Sequence, residues 1–447
     1  MLACALLILA VSSVARAPQT ESAPRPNIVL IVSDDQGYHD AGFMGSKELA
    51  TPALDALAAS GVVLTAHYVQ PVCSASRAAL LTGRLPTRTG VYGLVTPDVE
   101  GGLPLSERTL AEVLRAAGYE TGLCGKWHLG DSAPGYRPTR RGFEHQYGCW
   151  SGSIDPFTHE RDGVPDWHRD DEPLEEAGYA TELITREACR RIREKDPERP
   201  LFLVVAYTAV HVPLKVPEAY AEPYESLGRR RRTYAGMVAA LDRGVGEIVA
   251  ALRERGLLES TLIVFTSDNG GESLRSVADN SPLRAGKGTL HEGGIRALCC
   301  ASWPGRIPAG QRIDEPVQIV DWFPTFACLA GAEFPRGVAL DGLDILPVLT
   351  AGAPSPHPWI LVPIAPARAA LRVGPWKLVD ADDAPVPDEA GSEPARRRGG
   401  PVTMQLFDLA SDVGEQRDLA AEHPDRVGEL LSQLRGLVRD AVPLFER

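Results

Sequence analysis

Three continuous apolar runs constrain the fold of this chain more than any other feature of its sequence. They are rich in β-branched residues and read NIVLIV at 27–32, PLFLVVAYT at 200–208 and TLIVFT at 261–266. Unbroken runs of this kind, without the polar alternation of a half-exposed strand, are typical of strands buried on both faces. A shorter strand is expected at YETGLCG, 119–125. These segments predict a large, mostly parallel or mixed central sheet.

Amphipathic helical patterns lie between these strands. In the segment 51–61, Thr51 is a candidate N-cap, Pro52 stands in the first turn and a glycine ends the pattern. The segment 108–118 places its apolar residues on one face, and a long helix is predicted over 232–255. The alternation of buried strands with helices predicts an α/β fold in which helices flank the central sheet.

The chain changes character after about residue 350. The segments 371–380 and 403–410 have the pattern of strands, and an amphipathic helix is predicted over 423–438. The stretch 381–402, rich in proline, glycine and charge, is predicted to be a surface loop. We therefore expect a small antiparallel sheet with one packed helix at the C-terminal end.

These patterns predict two structural units after a removable leader. The 447 residues are enough for a large main domain, expected over 26–350, and a C-terminal subdomain, expected over 351–447. Residues 1–17 contain about ten apolar residues before small ones, which is typical of a cleaved signal peptide and too short for a membrane span. A buried N-terminal strand is the alternative. We expect an exported protein (periplasmic, secreted or lumenal) with no stable membrane span.

Charge and cysteine content limit the possible partners. The formal net charge of −13 argues against nucleic acid, because phosphate binding needs a basic face. Of the eight cysteines, Cys4 would leave with the signal peptide. The odd remainder leaves at least one unpaired in an exported chain, and Cys73 is the candidate. Taken alone, Cys73 could be structural, half of a disulfide, a metal ligand or a nucleophile.

Two pairs of oxygen-bearing residues follow buried strands. Asp34 and Asp35 come after the first strand, and Asp268 and Asn269 come after TLIVFT. Ligands gather at the carboxyl ends of strands in open α/β sheets, and adjacent carboxylates repel unless a cation lies between them. Hard oxygen donors favour Ca²⁺ or Mg²⁺ over Zn²⁺. The alternative is that each pair only caps a turn.

Basic side chains follow other predicted strands. Lys126 and His128 stand two residues apart in TGLCGKWHLG, His211 follows PLFLVVAYT, and Lys287 lies in a glycine-rich loop. Singly, such residues are more often structural histidines or surface lysines. Together with Arg77 and a metal, they indicate a pocket for a tetrahedral anion with general acids nearby.

The combined motifs closely resemble those of the type I sulfatases of the alkaline phosphatase superfamily. The matching stretches are SDDQG, CSASRAALLTGR, GKWHLG, AVHVP, SDNGG and GKGTLHEGG, in the family's order. The resemblance covers most of 26–350, which it identifies as a sulfatase catalytic domain, and LFDLASDVGEQRDLA at 406–420 resembles the family's C-terminal subdomain. Stretches such as PTRRGFEHQYG and IVDWFPT are most similar to the N-acetylgalactosamine-4-sulfatase (arylsulfatase B) branch.

The resemblance implies that Cys73 is a precursor. In the family, a formylglycine-generating or sulfatase-maturating enzyme oxidises this cysteine to formylglycine, an aldehyde. Its hydrate has two hydroxyls on one carbon, so one attacks sulfur and the other later allows sulfate to leave. Ala75 stands where the family motif most often has proline.

The resemblance also assigns roles to the other residues. Ca²⁺, with Mg²⁺ less favoured, would be bound by four oxygen-bearing side chains and the modified cysteine: Asp34, Asp35, Asp268, Asn269 and Cys73. Arg77 and Lys126 would orient the aldehyde hydrate, and Lys126 would also contact sulfate. His128 would take the proton in the elimination step. His211 and Lys287 would hold sulfate oxygens and protonate the leaving alcohol.

The implied function is hydrolysis of sulfate esters, on an aryl sulfate or a sulfated saccharide such as N-acetylgalactosamine 4-sulfate. Two alternatives are a phosphodiesterase or phosphonate monoester hydrolase of the same superfamily, and an inactive glycan-binding protein. Specificity is expected from the loops 131–175 and 272–292. His159 and His291 are candidate rim residues, and the arginines at 229–232 form either a solvated helix start or a contact for further sulfates.

Overall fold

A computed structural model describes residues 25–96, 100–274, 277–334, 336–380 and 403–443. The predicted signal peptide and the predicted loop 381–402 lie outside the described residues. In chain order, the strands of the described part are β1 Asn27–Ser33, β2 Val62–Leu64, β3 His67–Tyr68, β4 Glu120–Gly125, β5 His145–Gly148, β6 Glu160–Arg161, β7 Val164–Pro165, β8 His168–Arg169, β9 Glu172–Pro173, β10 Leu201–Ala206, β11 Thr261–Ser267, β12 Arg296–Ala297, β13 Cys299–Ser302, β14 Gln311–Ile313, β15 Val317–Gln318, β16 Ile360–Ala365, β17 Arg368–Val373, β18 Trp376–Asp380 and β19 Met404–Asp408.

The helices vary from one turn to seven turns in length. In chain order, the α-helices of the described part are α1 Pro52–Ala59, α2 Cys73–Thr82, α3 Pro86–Thr89, α4 Leu110–Ala116, α5 Ala180–Glu194, α6 Glu218–Ala221, α7 Arg229–Glu254, α8 Glu292–Ile295, α9 Trp322–Leu329, α10 Leu346–Ala351 and α11 Pro424–Leu437. None of the helices in these ranges is long and apolar enough to cross a membrane.

A ten-stranded mixed sheet organises the main part of the chain, in the order β14-β2-β13-β11-β1-β10-β4-β5-β8-β9. Its centre is parallel, because β1 pairs with β10 and β11 in parallel and β10 pairs with β4 in parallel. Strands β13 and β8 pair antiparallel with their neighbours β11 and β5. The predicted mostly parallel or mixed sheet is therefore confirmed, and its parallel centre brings four strand ends to one edge.

Side-chain alternation along the buried strands divides the core into two layers. Ile28, Leu30 and Val32 of β1 pack in one apolar cluster with α2, α4 and α9. Val29 and Ile31 pack in another with α1, α5 and α7. Since both faces of β1 are covered, every residue of the strand is buried, as its unbroken apolar sequence predicts.

The predicted helices form, with differences at their ends. Helix α4 begins with a capping box, in which the Thr109 side chain accepts from the N–H of Glu112 and the Glu112 side chain accepts from the N–H of Thr109. Helix α7 begins at Arg229, three residues before the predicted start, so the four arginines form its first turn.

The C-terminal part forms a four-stranded antiparallel sheet in the order β16-β17-β18-β19, as predicted. The segment 371–380 turns at Gly374, whose φ is +57°, and this turn joins β17 to β18. Helix α11 packs on β17 and β18 through apolar residues that include Leu430 and Leu434. The expected boundary near residue 350 stays a prediction.

Candidate active site

The candidate site lies at the carboxyl edge of the parallel strands. Asp34 and Asp35 follow β1, and Asp268 and Asn269 follow β11. The other predicted site residues at this edge are Lys126 and His128 after β4 and His211 after β10. Parallel strands end at the same edge, so four segments that are distant in sequence meet there. Asp35 has a φ of +60°, as does His128, a conformation uncommon for residues other than glycine. Such backbone conformations cluster at functional sites.

Asp34 and Asp35 each face a different cation. The Lys126 Nζ lies 2.7 Å from Asp34 Oδ2, with both side chains fully buried. Lys287 Nζ lies 2.8 Å from Asp35 Oδ2, and His211 Nε2 lies 3.5 Å from the same oxygen. Although burial alone would raise it, the pKa of Asp35 is held well below its usual range by Lys287 and His211. Asp35 is therefore an ionised carboxylate.

Asp268 is held by Arg77 in a two-point contact. Arg77 Nε and Nη2 donate to Asp268 Oδ2 at 3.1 and 2.8 Å. The third guanidinium nitrogen, Nη1, donates to the backbone carbonyl of Lys126 at 3.0 Å. This fork fixes the guanidinium between the segments after β11 and β4.

Cys73 is the first residue of the fully buried helix α2, which is followed by Gly83 in the left-handed conformation. Its Sγ lies 3.5 Å from Asp34 Oδ1 and 3.9 Å from Asp35 Oδ1. Burial and the neighbouring Asp268 carboxylate raise the pKa of the Cys73 thiol well above its usual value. A neutral thiol is a poor nucleophile, so these surroundings argue against a thiolate mechanism.

The bases of the site differ in their protonation. Burial, and then the positive charges of Lys126 and Arg77, lower the pKa of His128 well below its usual value, so its imidazole is neutral. Burial opposes the charge of Lys287, but Asp35 raises the pKa of this lysine well above the usual value, so it stays protonated. His211 Nδ1 lies 2.6 Å from the carbonyl oxygen of Val212, which aligns the ring with its Nε2 towards Asp35.

The residues present fit a hard metal ion. Ligand atoms of Asp34, Asp35, Cys73 and His211 all lie within 4.8 Å of one another. The amide of Asn269 donates to Asp35 Oδ1 at 2.7 Å, while its buried Oδ1 has no hydrogen-bond partner among the described residues. A buried, unpartnered carbonyl oxygen beside carboxylates is the donor type that Ca²⁺ and Mg²⁺ prefer. Sequence reasoning did not place His211 in this ligand cluster.

Three expectations about peripheral residues change. His159 and His291 are buried rather than on a rim, because His159 stacks on Trp167 at 4.5 Å and His291 packs against Phe407. In the arginine run, Arg231 Nη2 pairs with Asp40 at 2.6 Å. Part of this run is therefore structural rather than solvated or available for substrate.

Two solved structures superpose closely on this chain. The crystal structure of Ps i-CgsB in complex with k-i-k-neocarrahexaose superposes with a TM-score of 0.84, at 34% identity and with 94% of each chain covered. The crystal structure of the PsFucS1 sulfatase from Pseudoalteromonas sp. gives 0.79 at 26% identity, covering 95% of this chain and 92% of that one. The fold is the alkaline phosphatase-like α/β fold of sulfatases.

The sequence comparisons identify the family. Arylsulfatase J of Mus musculus is 35% identical, covering 95% of this chain and 78% of that protein. Arylsulfatase A of Homo sapiens is 36% identical, covering 92% and 87%. The sulfatase family model matches residues 26–332, so the chain belongs to the sulfatase family and is an enzyme that hydrolyses sulfate esters.

Proposed function

We propose that this sulfatase is an exported, exo-acting enzyme that removes sulfate from a glycan, using a formylglycine made from Cys73 and a bound Ca²⁺. The observation that carries the proposal is the position of Cys73. Its buried Sγ lies near the carboxylates of Asp34 and Asp35 at the N-terminus of α2, within the cluster of possible metal ligands.

The surroundings of Cys73 support a precursor role. The Cys73 thiol is neutral and fully buried, so an unmodified Cys73 would be a weak nucleophile. As the aldehyde hydrate, the same position would supply one hydroxyl to attack sulfur and a second that lets sulfate leave. Arg77 and Lys126 hold the adjacent carboxylates and would orient that group.

Ca²⁺ is supported by the oxygen donors around the cysteine. Asp34, Asp35, Asp268 and Asn269 would hold it together with the modified Cys73, and when bound it would stabilise negative charge on sulfate and on the hydrate. Lys126, Lys287 and Arg77 each pair with one of the three carboxylates. Because these three pairs balance each other, a bound Ca²⁺ would give the site the net positive charge that a sulfate requires.

The histidines are proposed to move protons. His128 is neutral and so can accept a proton when sulfate is expelled. His211 Nε2 faces the cluster, where it would hold a sulfate oxygen and protonate the leaving alcohol together with Lys287.

The names of similar proteins support the proposed substrate class. N-acetylgalactosamine-6-sulfatase of Sus scrofa is 37% identical, covering 78% of this chain and 71% of that protein, and Ps i-CgsB was crystallised with k-i-k-neocarrahexaose. These names support a sulfated saccharide. We propose a hexosamine sulfate, with N-acetylgalactosamine 4-sulfate as the first candidate. Export is proposed from the predicted signal peptide at 1–17, and a maturation enzyme is the required partner for Cys73.

The first experiment tests the modification. The full chain is produced with and without an active maturation enzyme, and the peptide that contains Cys73 is analysed by mass spectrometry. We expect the aldehyde mass only in the co-produced protein, with activity in proportion to that fraction. Full activity from protein whose Cys73 is entirely thiol would refute the formylglycine mechanism.

The second experiment tests the substrate. Co-produced enzyme and its Cys73→Ala variant are assayed on defined saccharides sulfated at single positions, on an aryl sulfate and on an aryl phosphodiester. We expect release of sulfate from a terminal hexosamine sulfate by the wild-type enzyme alone. Preferential cleavage of the phosphodiester would instead support the phosphonate or phosphodiester alternative.

A further inference from the structure

A buried charged cluster joins the C-terminal sheet to the main part of the chain. Lys377 Nζ, in β18, lies 2.8 Å from Glu292 Oε1 and 2.7 Å from Glu415 Oε1. Glu292 begins α8, and Glu415 lies in the connection between β19 and α11. The two carboxylate side chains are fully buried and the lysine side chain is 1% exposed. We call these three residues the Lys377 clamp.

The clamp is fixed by further contacts. The N–H of Glu292 donates to Glu415 Oε2 at 2.7 Å, and the Tyr68 hydroxyl donates to Glu292 Oε2 at 2.8 Å. Glu415 has a φ of +53°, a conformation uncommon for residues other than glycine. The cluster therefore fixes Glu292 from both its backbone and its carboxylate.

Glu292 stands at the end of the loop that carries Lys287. The N–H of Gly270, next to Asn269, donates to the carbonyl of Gly294 at 3.1 Å, and the N–H of Lys287 donates to the carbonyl of Gly271 at 3.2 Å. A Cβ on Gly270 would lie 1.8 Å from the carbonyl oxygen of Gly293. The loop and the turn after β11 are thus in direct backbone contact, and a shift of one displaces the other.

The energetics of buried ion pairs favour a role in positioning. Replacing such a cluster with apolar groups is often neutral or stabilising, whereas removing one partner is strongly destabilising. A requirement for stability alone therefore does not explain three charges at this interface. We infer that the Lys377 clamp is a positioning device, by which the C-terminal sheet holds the loop 286–294 and, through it, Lys287 and Asn269 in place for hydrolysis. The inference rests on the proposed roles of those two residues.

The test uses the full-length, co-produced enzyme and the double variant Lys377→Met with Glu415→Gln. This variant removes an ion pair as a whole, so Glu292 keeps Arg296 and Tyr68 as partners and the fold has no unpaired buried charge. On an aryl sulfate we expect kcat to fall by about tenfold to a hundredfold, the size of effect that small misplacements produce, with a much smaller change in KM. Hydrogen exchange measured by mass spectrometry should accelerate in peptides from 284–294.

The matched control is Glu187→Gln, which changes another buried, ion-paired carboxylate on α5, away from this loop. It should lower the melting temperature without accelerating exchange in 284–294 or lowering kcat. If the double variant does not fold, Glu415→Gln alone, which keeps an acceptor for the Glu292 N–H, takes its place with the same expectations.

Unchanged exchange in 284–294, or accelerated exchange with unchanged kcat, overturns the positioning role. Because hydrogen exchange can be measured on inactive protein, the measurement is repeated on protein whose Cys73 is unmodified. A wild-type enzyme that needs neither metal nor formylglycine would contradict the proposed mechanism instead, so the two failures are distinguishable.

Discussion

At the residue scale, the site depends on a balance of buried charge. Each of its three carboxylates faces one cation: Lys126 for Asp34, Lys287 for Asp35 and Arg77 for Asp268. An unpaired charge is costly at such burial, because the protein replaces little of its hydration. Single substitutions here should therefore affect both binding and chemistry, and their effects should differ in kind.

Removal of the metal is the first prediction at this scale. Asp268→Ala should lose bound Ca²⁺ and turnover together, because a methyl group cannot replace a ligand oxygen and Arg77 loses its partner. Metal content and activity are measured after chelation and after addition of Ca²⁺, which should restore only the wild-type enzyme. The control Asp40→Asn changes a buried carboxylate that pairs with Arg231, and should keep its Ca²⁺. Normal turnover of Asp268→Ala under strict chelation contradicts the site.

The second prediction separates proton transfer from sulfate binding. If His211 protonates the leaving alcohol, His211→Ala should lower kcat by about 10²- to 10⁴-fold on a sugar sulfate, which has a poor leaving group. The loss should be much smaller on 4-nitrophenyl sulfate, whose leaving group needs little protonation. Equal losses on the two substrates would assign His211 to binding alone.

At the element scale, helix α1 is held by a residue from another helix. Thr51 stands at the predicted N-cap but makes no capping bond to the helix, and its hydroxyl instead accepts from the N–H of Gly42 at 2.7 Å. The N–H groups of Ala53 and Leu54 donate to Asp242 of α7 at 3.1 and 2.8 Å. The start of α1 therefore depends on packing between the two helices.

The third prediction concerns this contact. Asp242→Ala should lower the free energy of unfolding by about 1–3 kcal/mol, because it leaves the buried N–H of Leu54 and the partly buried N–H of Ala53 without an acceptor. Thr109→Ala, which removes the local cap of α4, gives a comparison of about 1 kcal/mol. Chemical denaturation measures both, with kcat as the check that the site is unchanged. An unfolding free energy equal to wild type would show that water satisfies these donors.

The fourth prediction concerns how the protonation of Asp242 changes the stability of the protein with pH. Burial raises the pKa of Asp242 to about 6, against the N–H groups of Leu54 and Ala53, which lower it. The unfolded chain loses this proton near pH 4, so between about pH 4 and 6 the folded state binds more protons and stability falls as pH rises. Asp242→Asn lacks this titration. Its melting temperature relative to wild type should therefore rise from pH 4.5 to pH 7, and a constant difference would contradict the assignment.

At the scale of the whole molecule, an acidic protein must bind an anionic substrate. The net charge is −13, while Arg77, Lys126 and Lys287 meet within one small site. Since each of these cations is paired with a carboxylate, the proposed Ca²⁺ would supply the net positive charge that attracts the sulfate against the field of the molecule. Specificity for the sugar is expected from the loops 131–175 and 272–292. The first follows the segment that carries Lys126, and the second contains Lys287.

The fifth prediction assumes that the site binds the sulfate and that the loops recognise the sugar. If the loops position the sugar, its binding energy should appear mainly in the chemical step. The preferred saccharide should then exceed a small aryl sulfate in kcat/KM by about a hundredfold, or about 2.7 kcal/mol. Steady-state kinetics on matched sulfated saccharides measure this ratio. If only aryl sulfates turn over, the glycan proposal fails, although the enzyme remains a sulfatase.

The buried strands and the polar residues at their ends could be predicted from the amino-acid sequence alone. Unbroken apolar runs predict strands covered on both faces, and the parallel centre of the sheet then brings Asp34, Asp268 and His211 to one edge. This information is local, because hydrophobic periodicity and strand ends lie within a few residues of each other. The fold class was predictable for that reason.

The contacts between side chains from distant segments could not be predicted from the sequence. The pairing of Lys287 with Asp35, the capping of α1 by Asp242 and the burial of His159 have no local signal in the sequence. The Lys377 clamp likewise joins three segments that are distant in the sequence, and no local pattern in any of them indicates the contact. These contacts depend on the packing of distant elements, and the cost of leaving a buried charge or donor unpaired selects the arrangement that satisfies them together.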